Sequence, residues 1–217
     1  MIDFQNIGLF SHVKDVEQMK GKYDLILLDE NELQAYKKGT IEILDIYNAN
    51  NTRIGAASRK AYIKLGLPTR AVHFFVFNSK GELYLQKRTM NKDPYPGYFG
   101  PSTAGHIGLG EEPETSAQRE LEEELGIKIP FHYIGTFKLF KPEGIVNQFF
   151  YFYLAITTQP IIPDPEEVDA VGSGYYPLKK IKQELDWNTF IPPLQYELTH
   201  YQNEIQKFLE ENGITFS

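Results

Sequence analysis

Glu120, Glu123 and Glu124 recur at i, i+3 and i+4, a spacing that puts three carboxylates on one face of a helix. Like charges so placed repel, and here they gather near a helix C-terminus, where negative charge is disfavoured. A solvated surface face would interleave Lys or Arg with the acids. A divalent cation relieves the repulsion instead, and Mg²⁺ suits such a set because it takes hard oxygen ligands and keeps positions for water and phosphate. A cation of this kind polarises a phosphate and acidifies water. Arg119 is placed to clamp Glu111 or Glu123 through a two-pronged contact. The glycines of Gly105-His106-Ile107-Gly108-Leu109-Gly110 allow backbone to approach a metal or phosphate closely.

The elements that must position these groups are legible around them. Pro113 suits a helical first turn, Glu112 and Glu114 sit at its positive end, and Gly126 ends it. The helix therefore spans about 113–125, with Ala117, Leu121 and Leu125 as its buried stripe. Upstream, residues 41–57 read as a hairpin about Asn48–Asn51, and Ser58 caps a helix that Gly66 closes. Ala71–Phe77 and Glu82–Arg88 are strands joined by a turn at Asn78–Gly81, with Tyr84, Gln86 and Arg88 on one face and Leu83, Leu85 and Lys87 on the other. Thr89–Pro101 is a long loop of Pro, Gly and aromatics, a composition frequent at functional sites. Strands follow at about 132–141 and 146–157 with a turn at Pro142-Glu143-Gly144, then an acidic loop at 160–167, a short strand near 174–176 and one C-terminal helix over about 193–211. Asp24–Leu28 reads as a strand, and Asp29 with Glu32 as a capping pair for a helix ending at Gly39. Residues 1–39 are set apart as an appendage, and 40–217 as the main domain. The strands and helices interleave without regular βαβ units, which predicts an α+β fold with a mixed sheet between helices.

Bulk properties narrow the chemistry. Of 217 residues, 41% are hydrophobic and 14% aromatic, enough for a real core. The net charge of −7 disfavours binding nucleic acid by phosphate neutralisation, though a bound cation still admits a phosphorylated substrate. No cysteine is present, which removes disulfides, thiolate nucleophiles and Cys-based zinc sites. The start lacks the features of a signal peptide, and the longest apolar run, 149–156, is too short to span a membrane as a helix. The expectation is a cytoplasmic protein without nucleic-acid or membrane partners.

The segment resembles the Nudix box at every constrained position: Gly105, Glu111, Arg119, Glu120, Leu121, Glu123, Glu124, Gly126 and Ile127. From about 42 to 191, Asp45-Ile46-Tyr47, Ser58-Arg59-Lys60, Arg70-Ala71, Phe77-Asn78, Gln86-Lys87-Arg88, Pro96-Gly97 and Ala104-Gly105-His106 are similar to the isopentenyl-diphosphate-isomerase-like branch of that family. The resemblance implies an α/β/α sandwich and Mg²⁺-dependent hydrolysis of a diphosphate linkage, with Mn²⁺ able to substitute. The substrate would be a nucleoside-diphosphate-X or another organic diphosphate. It implies Glu120, Glu123 and Glu124 as metal ligands with the Gly105 carbonyl, Glu111 and Arg119 as orienting groups, and Arg88 and Arg70 as substrate contacts. Glu120 is ligand or base, and Glu143, Glu166 and Glu167 are candidate bases outside the box. A homodimer is compatible with this reading.

Two alternatives stand beside hydrolysis: an isomerase-like enzyme, and a ligand-binding module without turnover in which 1–39 contacts a partner. The isomerase uses a Cys, a Glu and several His. Ala104 stands at the Cys position, Gln148 at the Glu position and Thr69 where a His is expected. A carbocation reaction lacks its acids here. His106 reads either as a metal or phosphate contact or, preferably, as a loop residue with a satisfied hydrogen bond. Tyr95, Tyr98 and Phe99 either stack on a base or pack their loop.

Overall fold

The structure, a computed structural model, describes residues 25–92, 94–140 and 147–214. The chain divides into two compact units. The first holds residues up to 71 together with 106–112 and 138–149, and the second holds the remainder.

In the first unit, β2 (Ile43–Tyr47) and β3 (Arg53–Ser58) form the expected hairpin, with Asn48 accepting from the amides of Asn50 and Thr52 in the turn. Strand β1 (Leu25–Leu27) pairs with β3 in parallel, so this three-stranded sheet is mixed. Helix α1 (Glu30–Lys37) begins with the capping box read from Asp29 and Glu32. The other oxygen of Glu32 accepts from Ser58 Oγ at 2.8 Å, and Ser58 in turn caps α2 (Arg59–Leu65), which Gly66 ends at φ +61°. Residues 25–37, which belong to the stretch 1–39 set apart as an appendage, are hydrogen-bonded into the sheet of the hairpin. Leu44, Ile46, Ala57, Tyr62 and Leu67 form the core here.

The larger sheet has seven strands: β4 (Thr69–Phe77), β5 (Glu82–Lys87), β6 (Phe99–Gly100), β7 (Thr103–His106), β8 (Phe131–Phe140), β9 (Asn147–Ile156) and β10 (Gly174–Pro177). Its order is β10-β5-β4-β9-β8, with β6 on β5 and β7 on β4. Fully buried Phe74, Phe75, Phe152 and Tyr153 fill the second unit's core in edge-on and stacked contacts. Helix α3 spans Pro113–Leu125 as read, and Ala117, Leu121 and Leu125 are wholly buried.

Three features depart from the sequence reading. The 89–101 loop carries β6, because Gln86 and Lys87 pair with Gly100 and Phe99. Helix α4 (Leu178–Glu184) follows β10 and was not anticipated. The single C-terminal helix is two, α5 (Pro192–His200) and α6 (Gln202–Glu211). The break falls at Tyr201, whose backbone leaves the helical region at φ −109°, ψ 23° while its ring packs on Phe137 and Phe152. Tertiary packing overrides a continuous helical periodicity there. The turn at Pro142–Gly144, with Glu143, lies outside the described residues. Among the described residues no helix is long and apolar enough to cross a membrane.

Candidate active site

Helix α3 turns its last two turns inward by burying acids as well as aliphatics. Glu120 and Glu124 are 7% and 8% exposed. Glu123, expected on the same face, lies at the rim with its side chain 59% exposed. Its neighbours Leu121 and Leu125 set the rotation of the helix, and that rotation brings Glu120 and Glu124 in while leaving Glu123 out. Arg119 joins the two sets: its Nη1 donates to Glu120 Oε1 at 2.7 Å and to Glu123 Oε2 at 3.0 Å. One guanidinium nitrogen therefore bridges two carboxylates.

Glu124 is held by neutral donors. Gln86 Nε2 (3.1 Å), Thr103 Oγ1 (2.6 Å) and the Ala104 amide (3.3 Å) all donate to Oε2. Burial raises the Glu124 carboxyl pKa, these donors oppose it, and Glu167 adds to the rise. Burial, then the charge of Glu124, pushes Glu120 up to about 8 against the pull of Arg119. Gly105 lies directly beneath the Glu120 carboxyl, and a Cβ there would overlap it, so glycine is required for this approach.

The helix C-terminus is tied to the acidic loop. Gly126 takes φ +65°, and the amides of Gly126 and Ile127 close on Glu122 and Leu121. The Ile162 and Asp164 amides then donate to the Leu125 and Glu124 carbonyls, each at 3.0 Å. Beyond this tie, Lys92 forms an ion pair with Glu167, and Lys87 lies 3.9 Å from Asp169.

The glycine-rich approach to the helix is organised within the first unit. Leu44 bridges Gly108 in antiparallel fashion, and the Gly110 amide donates to Asp45 at 2.9 Å. Asp45 is 2% exposed and also pairs with Arg53 at 2.6 Å. Glu111 Oε2 accepts from the Gly108 amide at 3.2 Å. His106 is hydrogen-bonded through Nε2 to Tyr62 Oη at 3.0 Å, with Glu42 3.4 Å from Nδ1.

The remaining sequence-selected groups are dispersed. Arg70 donates twice to Asn51 (2.8 and 2.9 Å) and lies 3.9 Å over the Tyr47 ring, which holds Asn51 at φ +62°. Arg88 donates through Nε to the Pro94 carbonyl and bridges Val168. Tyr95 and Tyr98 pack on each other, and Phe99 packs on Tyr176 and Phe190. Gln148 and Thr69, the positions of the absent isomerase groups, meet each other at 3.3 Å.

Sequence reasoning gave no role to Thr103, and named Gln86 and Asp45 only in the resemblance to the isomerase-like branch or as a strand position. The signals were available: Gln86 shares the face of Tyr84 and Arg88, Thr103 directly precedes Ala104-Gly105, and Asp45 is an acid between Leu44 and Ile46 in a strand.

Among the described residues no three acidic or histidine side chains converge as a finished metal cage. The donor set nonetheless fits a divalent cation. Two buried carboxylates face inward on adjacent turns, a cationic nitrogen already bridges Glu120 to Glu123, and the space over Gly105 admits a carboxylate.

Comparison with known proteins gives the family. The NUDIX domain model matches residues 67–195. Nudix hydrolase 3 of Arabidopsis thaliana is 36% identical over 108 residues, 49% of this chain, although the chain spans only 14% of that protein. An isopentenyl-diphosphate Delta-isomerase of Streptomyces avermitilis is 33% identical over 138 residues, covering 60% of this chain and 70% of the isomerase. The MutT protein of Methanosarcina mazei Go1 shares the fold at a TM-score of 0.54 and 18% identity, over 63% of this chain and 94% of that one. With a family model matching more than half its length and an α+β fold to accord with it, the chain belongs to the Nudix family, in the branch similar to isopentenyl-diphosphate isomerases.

Proposed function

We propose that this chain hydrolyses a diphosphate linkage in a small organic diphosphate, with Mg²⁺ as its cation. The observation that carries the reading is the pairing of buried Glu120 and Glu124 on adjacent turns of α3. Burying two acids side by side costs free energy, which a bound cation offsets with both carboxylates ionised. Glu120, Glu123, Glu124 and the Gly105 carbonyl would hold Mg²⁺, and Mn²⁺ would replace it. The chemistry the ion supplies when bound is Lewis acidity toward phosphate and water.

The chain's own residues then divide the work. Glu124 enters pre-aimed by Gln86, Thr103 and Ala104. Arg119 neutralises Glu120 and Glu123 until substrate and cation arrive, and Glu111 fixes the glycine-rich loop through Gly108. Of the bases named outside the box, Glu166 and Glu167 lie among the described residues. Glu167, tied to the segment that caps α3 through its amide hydrogen bond to the Asp164 carbonyl and paired with Lys92, is the one we assign to take a proton from water. Arg88 and Arg70 remain the proposed substrate contacts from the family resemblance.

Isomerisation of a prenyl diphosphate is the second reading, favoured by relatives bearing the isomerase name. Against it, Ala104 carries no thiol, and Gln148 donates an amide hydrogen to Thr69 where an acid and a metal ligand would be needed. The two readings part in one experiment. A panel of nucleoside diphosphate conjugates and prenyl diphosphates is incubated with Mg²⁺ and followed by ³¹P and ¹H NMR. Release of phosphorylated fragments is expected, and conversion of isopentenyl to dimethylallyl diphosphate without phosphate release would overturn the assignment.

A further inference from the structure

Among the described residues, all three hydrogen bonds to the Glu124 carboxylate fall on one of its oxygens. A carboxylate offers acceptor positions on both oxygens, so this crowding of donors is selective. Gln86 reaches Oε2 from β5, Thr103 from β7 and the Ala104 amide from the residue beside it. Gln86 is 5% exposed and Thr103 fully buried, so neither donor is exchanged for water at low cost. Their placement is fixed by backbone: Gln86 pairs in register with Gly100, and Thr103 also lies 3.4 Å from the Glu120 carbonyl, one turn from its partner.

We infer that Gln86 and Thr103 are positioning residues that lock Oε2 of Glu124 and thereby present Oε1 to a divalent cation. The inference rests on Glu124 as a cation ligand and adds the groups that aim it. Two neutral donors suit this task better than a Lys or Arg. They fix the carboxylate without cancelling the charge that attracts the cation. A polar group that orients a metal ligand typically contributes about 10- to 100-fold to metal affinity.

The test uses Mn²⁺ alone as probe, titrated into the full chain and followed by electron paramagnetic resonance, with metal-free melting recorded alongside. Thr103→Val, nearly isosteric, and Gln86→Met are expected to weaken Mn²⁺ binding by about 10- to 100-fold. Thr103→Ser, which keeps the hydroxyl, is expected to return affinity to near that of the parent. A purely structural role would move melting in Thr103→Val and leave Mn²⁺ affinity in place. Folded Thr103→Val and Gln86→Met that bind Mn²⁺ as the parent does, while Glu124→Gln does not, would overturn the positioning role and leave Glu124 as ligand. A Glu124→Gln protein that binds as tightly as the parent would overturn the reading beneath it. Should Thr103→Val not fold, Gln86→Met decides alone.

Discussion

The second unit buries acids in two places, and the two are built to opposite ends. In the core, Glu197 on α5 is fully buried with His73 of β4, Oε1 to Nδ1 at 2.8 Å, and Phe150 lies edge-on to the imidazole. There the partner is a single titratable base, and the pair is closed by aromatic packing. On α3, Glu120 and Glu124 are buried with each other, which is repulsive, and with donors that orient more than they neutralise. Both arrangements raise carboxyl pKa values through burial. Burial of an acid alone therefore does not mark a functional site. What separates the two is the set of partners: Glu197 has one imidazole beside it, whereas on α3 a single cation, Arg119, serves both Glu120 and Glu123, and Glu124 meets only neutral donors.

The sharpest way to break this comparison is Glu124→Gln. It is expected to lower turnover by at least about two decades with the fold intact, as loss of one metal-holding group would. Steady-state kinetics with circular dichroism checks it. If activity survives, the α3 pair is as structural as the core pair. Glu197→Ala should behave in reverse. Leaving His73 without its partner costs about 3–5 kcal/mol of stability by urea denaturation, while Mn²⁺ affinity in the folded protein stays unchanged.

A cation should distinguish the pairs next. Saturation with Mg²⁺ at about 100 times its dissociation constant stabilises the fold by about 2.7 kcal/mol. Calorimetric melting should show this gain in the parent and in Glu197→Ala, and lose it in Glu124→Gln.

The smallest effect is in pH. Glu120's folded pKa, about 8, stands above the 4.5 of an unperturbed Glu. The metal-free folded chain keeps a proton that the unfolded chain releases. Its contribution is full below about pH 4.5 and is lost as pH rises toward 8, at no more than about 1.4 kcal/mol per unit. Metal-free melting should fall across that window. Glu120→Gln should reduce the slope, leaving the parts due to Glu124 and Glu197, which are also raised. A flat metal-free profile in the parent would remove the premise that Glu120 is held protonated.

The sequence disclosed what local rules govern. Capping residues marked α1 and α2, and Pro113 with Gly126 bounded α3, because such signals act over a few residues. The box acids were read as one set on one helical face, and the structure divides that set, with Glu120 and Glu124 buried and Glu123 at the rim. Helical spacing allots Glu120, Glu123 and Glu124 one face, but Leu121 and Leu125 decide which part of that face turns inward. Gln86 and Thr103 were given no role because their side-chain hydrogen bonds to Glu124 span 38 and 21 residues of chain. The break at Tyr201 was hidden for the same reason: Phe137 and Phe152 are distant in sequence.

The tie between the acidic loop and α3 has a consequence for how this protein can change. Ile162 and Asp164 hold the helix end with their main-chain amides. Every L-amino acid but proline carries that donor, so most side chains from 162 to 166 are open to replacement without fraying the helix, with Glu167 kept as the proposed base. Loop length is not free in this way, because a deletion would pull the amides off the Glu124 and Leu125 carbonyls. Variation toward new substrates therefore has a ready channel in this segment. It can be randomised at fixed length, sparing proline at 162 and 164, as a library in which diversity is uncoupled from collapse of the site.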